Sequence, residues 1–194
     1  KKGVGSPCVF MHRDKCLTLV VHGDDFTVLG YAKELDWFRD EIKKKFEIKV
    51  KGRIGPEAND DKSIRILNRV VEWTSEGIKY EADQRNAEII VKGLGLTGDS
   101  RSLSVPGEKR ENNEEEGDNE EVNKEEARKY RRLTARGVYL AQDRNDIAFA
   151  VKELARGMAK PKKGNTKALK RLGRCLIDKT RFVSFFGYRG PVDK

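Results

Sequence analysis

Residues 17–30 read LTLVVHGDDFTVLG, and this stretch determines the fold expected for the chain around it. Two short apolar runs flank a polar centre, His22-Gly23-Asp24-Asp25. Apolar runs rich in β-branched residues are typical of strands, and a Gly-Asp pair between two such runs favours a tight hairpin turn. The sequence therefore predicts a β-hairpin that carries two adjacent carboxylates at its tip.

Two interpretations of this tip fit the residues. Adjacent carboxylates repel each other, so the arrangement is costly unless a cation neutralises it. Mg²⁺ prefers oxygen ligands and is usually held by one or two carboxylates together with substrate phosphates. One interpretation is therefore a metal-dependent phosphoryl-transfer site, in which Asp24 and Asp25 hold Mg²⁺ or Mn²⁺. The other is an ordinary hairpin with Asp25 in solvent, because Gly and Asp are both common turn residues.

The charge of the chain is positive but unevenly distributed. The formal net charge is +9 and the pI is about 9.4, yet nine acidic residues fall within residues 111–126. The rest of the chain holds 40 basic and 23 acidic residues, a net charge of +17. This excess favours a polyanionic partner such as nucleic acid, although a lysine-rich soluble surface has the same composition. No apolar run approaches the ~18 residues of a membrane span, so no membrane partner is expected.

The cysteines favour a reducing, intracellular setting. Their number is odd, three, and their spacing matches no disulfide framework. Cys8, His12, Cys16 and His22 also suggest a zinc site. Their spacings match no common zinc module, since structural sites favour close ligand pairs such as C-x₂₋₄-C, and core strands are the better interpretation.

The remaining patterns predict an α+β fold. Strands are predicted over residues 7–12, 47–54, 63–73, 77–82 and 182–188, and helices over residues 31–46, 83–93, 126–142, 146–159 and 165–179. Asp83 and Asn165 are the predicted N-caps of two of these helices. The first helix places an apolar face against the sheet, formed by Leu35, Phe38, Ile42 and Phe46. Residues 108–125 are acidic and of low complexity, so they are predicted to form a disordered or solvated linker.

Three blocks of sequence resemble copia-type LTR retrotransposon reverse transcriptases. SPCVF at residues 6–10 precedes the Gly-Asp-Asp hairpin at the family's distance. Residues 129–161, KYRRLTARGVYLAQDRNDIAFAVKELARGMAKP, resemble the segment that follows the polymerase core. Residues 168–180, ALKRLGRCLIDKT, resemble the helix after it. The chain differs from the family at His22, where tyrosine is usual.

The resemblance implies a division of the chain and a set of nucleic-acid contacts. Residues 1–82 would be the C-terminal part of a palm, with a catalytic hairpin and a primer-grip-like hairpin around residues 74–77. Residues 83–107 would lead across the acidic linker, residues 108–125, to a basic helical thumb or connection-like region at residues 126–194. The implied nucleic-acid-binding residues are His22, Gly23, Trp73, Lys152, Arg156, Lys167, Lys170, Arg171 and Arg174. Trp73 has a second interpretation, as a cap on the core.

The implied function is RNA-directed DNA polymerisation by two-metal nucleotidyl transfer. Asp24 and Asp25 would be catalytic and metal-binding, and the partners would be an RNA template, a DNA primer and deoxynucleoside triphosphates. A third carboxylate and the fingers are expected upstream and an RNase H segment downstream, so the chain alone is expected to be inactive. The implied location is intracellular, in cytoplasmic virus-like particles or the nucleus. Two alternatives stay open: a non-catalytic nucleic-acid-binding remnant, and the palm of a viral RNA-dependent RNA polymerase, which Gly23 favours.

Overall fold

The computed structural model describes residues 1–107 and 117–189 and divides into two compact units, residues 1–51 and residues 52–194. Each unit combines antiparallel strands with helical structure, which confirms the predicted α+β class. The division differs from the boundary expected at residue 82, because the second hairpin belongs to the same unit as the later helices.

The first unit is a three-stranded sheet followed by a helix. Strands β1 (Val9–His12), β2 (Leu17–His22) and β3 (Asp25–Leu29) pair antiparallel in the order β1-β2-β3, and helix α1 spans Ala32–Lys43. Leu17 is buried and lies against Gly30, where an added Cβ would come within 2.4 Å of the Leu17 Cδ2 atom. The glycine therefore lets the chain leave β3 close to the start of β2.

Two predictions for the first unit need correction. Helix α1 ends at Lys43, so Phe46 is not part of its apolar face and is 60% exposed. The other predicted face residues of α1 are half-buried, and no residue of α1 is fully buried. The predicted strand over residues 47–54 is wrong, since only Ile54 forms an isolated bridge, to Asp61. An alternating pattern yields a strand only where a neighbour pairs its backbone groups, and the described residues provide no such neighbour here.

The second unit contains another antiparallel sheet. Its described strands are paired in chain order: β4 (Ser63–Ile66), β5 (Arg69–Trp73), β6 (Gly77–Glu81) and β7 (Val183–Gly187). The sequence predicted a single strand over residues 63–73, but a turn at Leu67 and Asn68 divides it. Both residues have positive φ, 48° and 66°, as a tight hairpin turn requires. The turn escaped sequence reasoning because glycine, not leucine, usually marks such a position.

Helices form the core of the second unit. They are α2 (Gln84–Gly93), α3 (Lys124–Leu140), α4 (Asn145–Arg156) and α5 (Lys163–Leu176). Their buried apolar side chains are at most 4% exposed and cluster with Ala82: Ala87, Ile90, Tyr130, Leu133, Leu140, Ile147, Val151, Leu154, Leu169, Leu172 and Leu176. Burial of each larger side chain contributes roughly 1.5–3 kcal/mol. Asp83 caps α2 as predicted, accepting a hydrogen bond from the Arg85 N–H at 3.0 Å.

The start of α5 and the acidic linker differ from their predictions. Lys162 is the N-cap of α5, and Asn165 instead lies within the helix and accepts a hydrogen bond from the Lys162 N–H at 3.0 Å. Of the predicted linker, residues 108–116 lie outside the described residues. Residues 117–121 form a turn bonded to the beginning of α5, and α3 begins at Lys124, so this part is not a disordered linker. The residues that this turn contacts are distant in sequence, so the composition of residues 108–125 alone could not predict the contacts.

A polar cluster joins the second sheet to the turn after α3. The Arg69 Nε donates to Asp143 Oδ2 at 2.7 Å, and the Tyr80 hydroxyl donates to Asp143 Oδ1 at 2.9 Å. Burial, and then the hydrogen bond to Asp143, raises the pKa of Tyr80 to about 12, so this hydroxyl remains a donor at neutral pH. The Arg69 side chain also donates to the Tyr139 hydroxyl at 3.2 Å. These contacts explain why the second hairpin belongs with the helices.

Candidate functional site

The predicted hairpin is confirmed, and its turn consists of Gly23 and Asp24. His22, the last residue of β2, pairs with Asp25, the first residue of β3. Gly23 has φ of 62°, a left-handed conformation that glycine adopts without steric cost. Asp24 is exposed and Asp25 is half-buried. The antiparallel ladder on both sides of the turn therefore holds the two carboxylates at an accessible tip.

Lys51 provides the cation that the structure shows at this tip. Its Nζ lies 2.6 Å from Asp25 Oδ1. The hydrogen bond to Asp25, followed by the charges of Asp25 and Asp24, raises the pKa of Lys51. Both partners are substantially exposed, so the pair is weak and exchangeable. The carboxylate of Asp25 is therefore oriented, but remains able to take another cation.

The donor set at the tip fits part of a magnesium site. Asp24 and Asp25 are hard oxygen donors, and Mg²⁺ is commonly held by one or two carboxylates with waters and phosphates supplying the rest. Within the part of the chain that the structure describes, no group of three or more His, Cys, Asp or Glu side chains is placed to hold a metal. The described residues therefore supply two ligands here and bring no third carboxylate to them. Asp14, the preceding aspartate, lies in the turn between β1 and β2.

The residues of the alternative zinc interpretation have other neighbours. The His12 ring meets the Trp37 ring edge-on, with centroids 5.7 Å apart. Cys16 Sγ lies 3.6 Å from the Arg13 carbonyl oxygen. Cys8 is exposed in the turn before β1, and His22 is exposed at the end of β2. The four side chains are not gathered into a metal-binding group.

A basic groove of about 600 Å³ lies in the second unit, beside the N-terminus of α2. We call it the arginine groove, and its lining consists of Asn68, Asp83, Arg85, Asn86, Arg132, Ala135, Arg136 and Tyr139. Arg132 and Arg136 are one turn apart on α3, so both project from the same face. Arg85 comes from the first turn of α2, and Asn68 from the β4–β5 turn. Residues from three elements therefore converge on one surface.

Hydrogen bonds fix one side of the arginine groove. The buried Asp83 carboxylate accepts from Asn86 Nδ2 at 2.8 Å, and Asn86 Oδ1 accepts from Arg136 Nη1 at 3.1 Å. Among the described residues, no ion pair or hydrogen bond engages the guanidinium of Arg85 or Arg132. The lining of the groove thus includes three guanidinium groups and one buried carboxylate. The surface is suited to an anion, because guanidinium groups bind phosphate with directed, charge-assisted hydrogen bonds.

Basic residues of α5, among them the predicted Lys167, Lys170 and Arg174, form a stripe along one face of that helix. Lys163, Lys167, Lys170 and Arg174 recur at a spacing of three or four residues, and we call them the α5 stripe. Lys170 is exposed, whereas Arg174 Nε donates to the Arg101 carbonyl oxygen at 2.7 Å. Arg171, also predicted to bind nucleic acid, is half-buried beside the stripe. This helix therefore presents a linear basic surface.

The other predicted nucleic-acid contacts lie elsewhere. Lys152 and Arg156 are exposed one turn apart on α4, and Arg156 pairs with Glu153 at 3.0 Å. Trp73, at the end of β5, is half-buried, and the Lys62 Nζ lies 5.0 Å from its ring centroid. Its ring is therefore engaged within the second unit. His22 and Gly23 belong to the first unit.

None of the predicted nucleic-acid-binding residues lines the arginine groove, so sequence reasoning missed Asn68, Arg85, Arg132 and Arg136 as members of one site. The i, i+4 spacing of Arg132 and Arg136 was a usable signal, as was the position of Arg85 just after the cap Asp83. No local signal linked these residues to the Asn68 turn. Their convergence depends on the packing of α2 against α3 and on the hydrogen bond between Arg69 of β5 and Tyr139 of α3.

No family model, curated protein or solved structure matches this chain. No helix in the described ranges, residues 1–107 and 117–189, is long and apolar enough to cross a membrane. The proposal of a function therefore rests on the geometry of the hairpin tip and of the arginine groove, and on the three blocks of sequence.

Proposed function

We propose that this chain is part of an RNA-directed DNA polymerase, contributing metal-binding carboxylates and a surface for the primer–template duplex. The observation that carries the proposal is the hairpin tip, where a Gly-Asp turn in an exact two-residue loop exposes Asp24 beside the half-buried Asp25. The resemblance to copia-type reverse transcriptases adds three blocks of sequence in the same order. The proposed partners are an RNA template, a DNA primer and deoxynucleoside triphosphates.

The hairpin tip would serve the transfer reaction by holding a divalent cation. Mg²⁺ or Mn²⁺, when bound to Asp24 and Asp25, supplies the positive charge that nucleotidyl transfer requires. A cation held by Asp25 would compete with the Lys51 ammonium for that carboxylate, which the ion pair with Lys51 otherwise orients. Further ligands would come from substrate phosphates and another polymerase segment.

The arginine groove would bind the sugar–phosphate backbone of the duplex. Phosphate contacts position a nucleic acid without selecting its sequence, as a polymerase requires. Arg85 and Arg132 are the free cationic groups among the described lining residues, and Arg136 is preoriented by Asn86. The α5 stripe would supply further phosphate contacts from the same unit.

A second candidate is a non-catalytic nucleic-acid-binding module. The arginine groove favours it, because none of its lining residues belongs to the carboxylate hairpin. In that case duplex binding would persist and metal binding at Asp24 and Asp25 would be absent. An intracellular location, cytoplasmic or nuclear, remains a prediction for both candidates.

The first test measures metal binding by the chain as it is. Mn²⁺ should broaden the amide NMR signals of Gly23 and Asp24, and Asp24→Asn should abolish the broadening. Asp14→Asn is the matched control, since Asp14 is an exposed aspartate in the preceding turn. Broadening that is unchanged in Asp24→Asn would contradict the metal site.

The second test measures DNA synthesis. The chain alone should not extend a primer, because two carboxylates from one turn do not enclose two cations. Fused to the fingers and first palm strands of a copia-type reverse transcriptase, it should extend a DNA primer on an RNA template with deoxynucleotides. Asp24→Asn should abolish extension and leave duplex affinity within about twofold, since phosphate contacts dominate that affinity. A folded, duplex-binding fusion that does not extend the primer would favour the non-catalytic module.

A further inference from the structure

The acidic turn, residues 117–121, is bonded to the beginning of α5 through its backbone. The Gly164 N–H donates to the Asp118 carbonyl at 3.0 Å, and the Lys163 N–H donates to the Glu120 carbonyl at 2.9 Å. These two amides lie in the first turn of α5, where N–H groups have no partner within the helix. The acidic turn therefore satisfies donors that would otherwise face solvent or an anion.

Side chains of the acidic turn neutralise lysines around the same point. Asp118 Oδ1 lies 2.7 Å from the Lys167 Nζ. Glu120 pairs with Lys163, and Glu121 pairs with Lys160. Lys163 and Lys167 are the first two members of the α5 stripe. Among the described residues no carboxylate pairs with the last two, Lys170 and Arg174.

Close approach of the acidic turn depends on a glycine of α5. A Cβ added at Gly164 would lie 3.2 Å from the Asp118 Cβ and 3.3 Å from its carbonyl oxygen. Both distances are tighter than ordinary carbon contacts. The absence of a side chain at Gly164 thus permits the turn to lie against the helix.

We propose that the acidic turn is an autoinhibitory segment, which occupies the N-terminal half of the α5 stripe and has to be displaced by duplex phosphates. This inference rests on the proposed duplex binding. The lysine side chains of the three ion pairs are more than half exposed, so the pairs add little to the stability of the fold. Their main effect is to cancel three positive charges where a polyanion would bind. Phosphate oxygens and carboxylates would compete for the same ammonium groups and helix amides.

The test removes the charges of the turn and keeps its shape. The variant Asp118→Asn, Glu120→Gln, Glu121→Gln is titrated with a fluorescent primer–template duplex at several salt concentrations. Its affinity should rise about tenfold at low salt, and log K should fall more steeply with log salt by about 2–3, as three freed lysines make phosphate contacts. The control variant, Glu47→Gln, Glu57→Gln, Glu76→Gln, makes the same change in net charge at exposed carboxylates that form no ion pair among the described residues. Equal affinities of test and control variants would overturn the inference.

A second variant crowds the turn without changing charge. Gly164→Ala places a Cβ 3.2 Å from the Asp118 Cβ, so the turn has to move by a few tenths of an ångström, while alanine is favourable within a helix. This small shift should raise duplex affinity by less than the charge-removing variant does, and an affinity no higher than that of the wild type would count against the autoinhibitory contact. If the wild type and the charge-removing variant bind duplex with the same steep salt dependence, the autoinhibitory role of the acidic turn is wrong, while the proposed duplex binding stands. If none of the proteins binds duplex, the proposed function fails with it.

Discussion

Replacing the arginines of the arginine groove should reduce the salt dependence of duplex binding. The perturbation is the triple variant Arg85→Gln, Arg132→Gln, Arg136→Gln, which removes the charges and keeps polar side chains. Each phosphate contact contributes about 0.9 to the slope of log K against log salt. Three guanidiniums line the groove, so the slope should become less steep by about 2–3.

The three positions should not contribute equally. Arg136 already donates to Asn86, so its loss should cost less than the loss of Arg85 or Arg132. The measurement is fluorescence anisotropy of a labelled primer–template duplex between about 50 and 200 mM salt, an interval over which a protein with several phosphate contacts loses orders of magnitude in affinity. Single variants would rank the three arginines.

A matched control separates position from net charge. Arg13→Gln, Lys33→Gln, Lys92→Gln removes three exposed positive charges outside the groove. Circular dichroism would show that both triple variants remain folded. A groove variant that keeps the slope of the wild type, or that loses no more than the control, would refute the assignment of the arginine groove to phosphate binding.

Three further predictions concern the hairpin tip and the second sheet. Lys51→Ala should increase Mn²⁺ affinity at the tip up to about fivefold, as it removes a weakly held competing cation; NMR titration would measure it. Gly23→Val should lower the free energy of unfolding by about 1–2 kcal/mol in urea denaturation, because φ of 62° is strained for a β-branched residue. The raised pKa of Tyr80, about 12, implies stability that is complete below pH 10 and declines between pH 10 and 12 as the unfolded tyrosine ionises first. Tyr80→Phe should therefore reduce this decline in pH-dependent denaturation, and an unchanged profile would contradict it.

Two hairpin turns and one predicted strand show where prediction from neighbouring residues succeeded and where it failed. The Gly-Asp turn was predictable because its glycine supplies positive φ and its flanks are apolar and β-branched. The Leu67-Asn68 turn was not, because a leucine at φ of 48° is held there by pairing of β4 with β5 rather than by its own preference. The prediction of a strand over residues 47–54 was wrong because these residues have the alternating pattern of a strand but no neighbouring strand among the described residues to pair with.

The sequence by itself determined the α+β class, the carboxylate hairpin and the helices of the second unit, because apolar periodicity and turn preference act over a few neighbouring residues. Only the tertiary structure decided which charges act together. Arg85, Arg132 and Asn68 meet in one groove although they are separated along the chain. The acidic turn lies on the α5 stripe across about forty residues of sequence. Such contacts arise from the packing of whole elements, and the charge of a residue contains no information about the distant element that it will face.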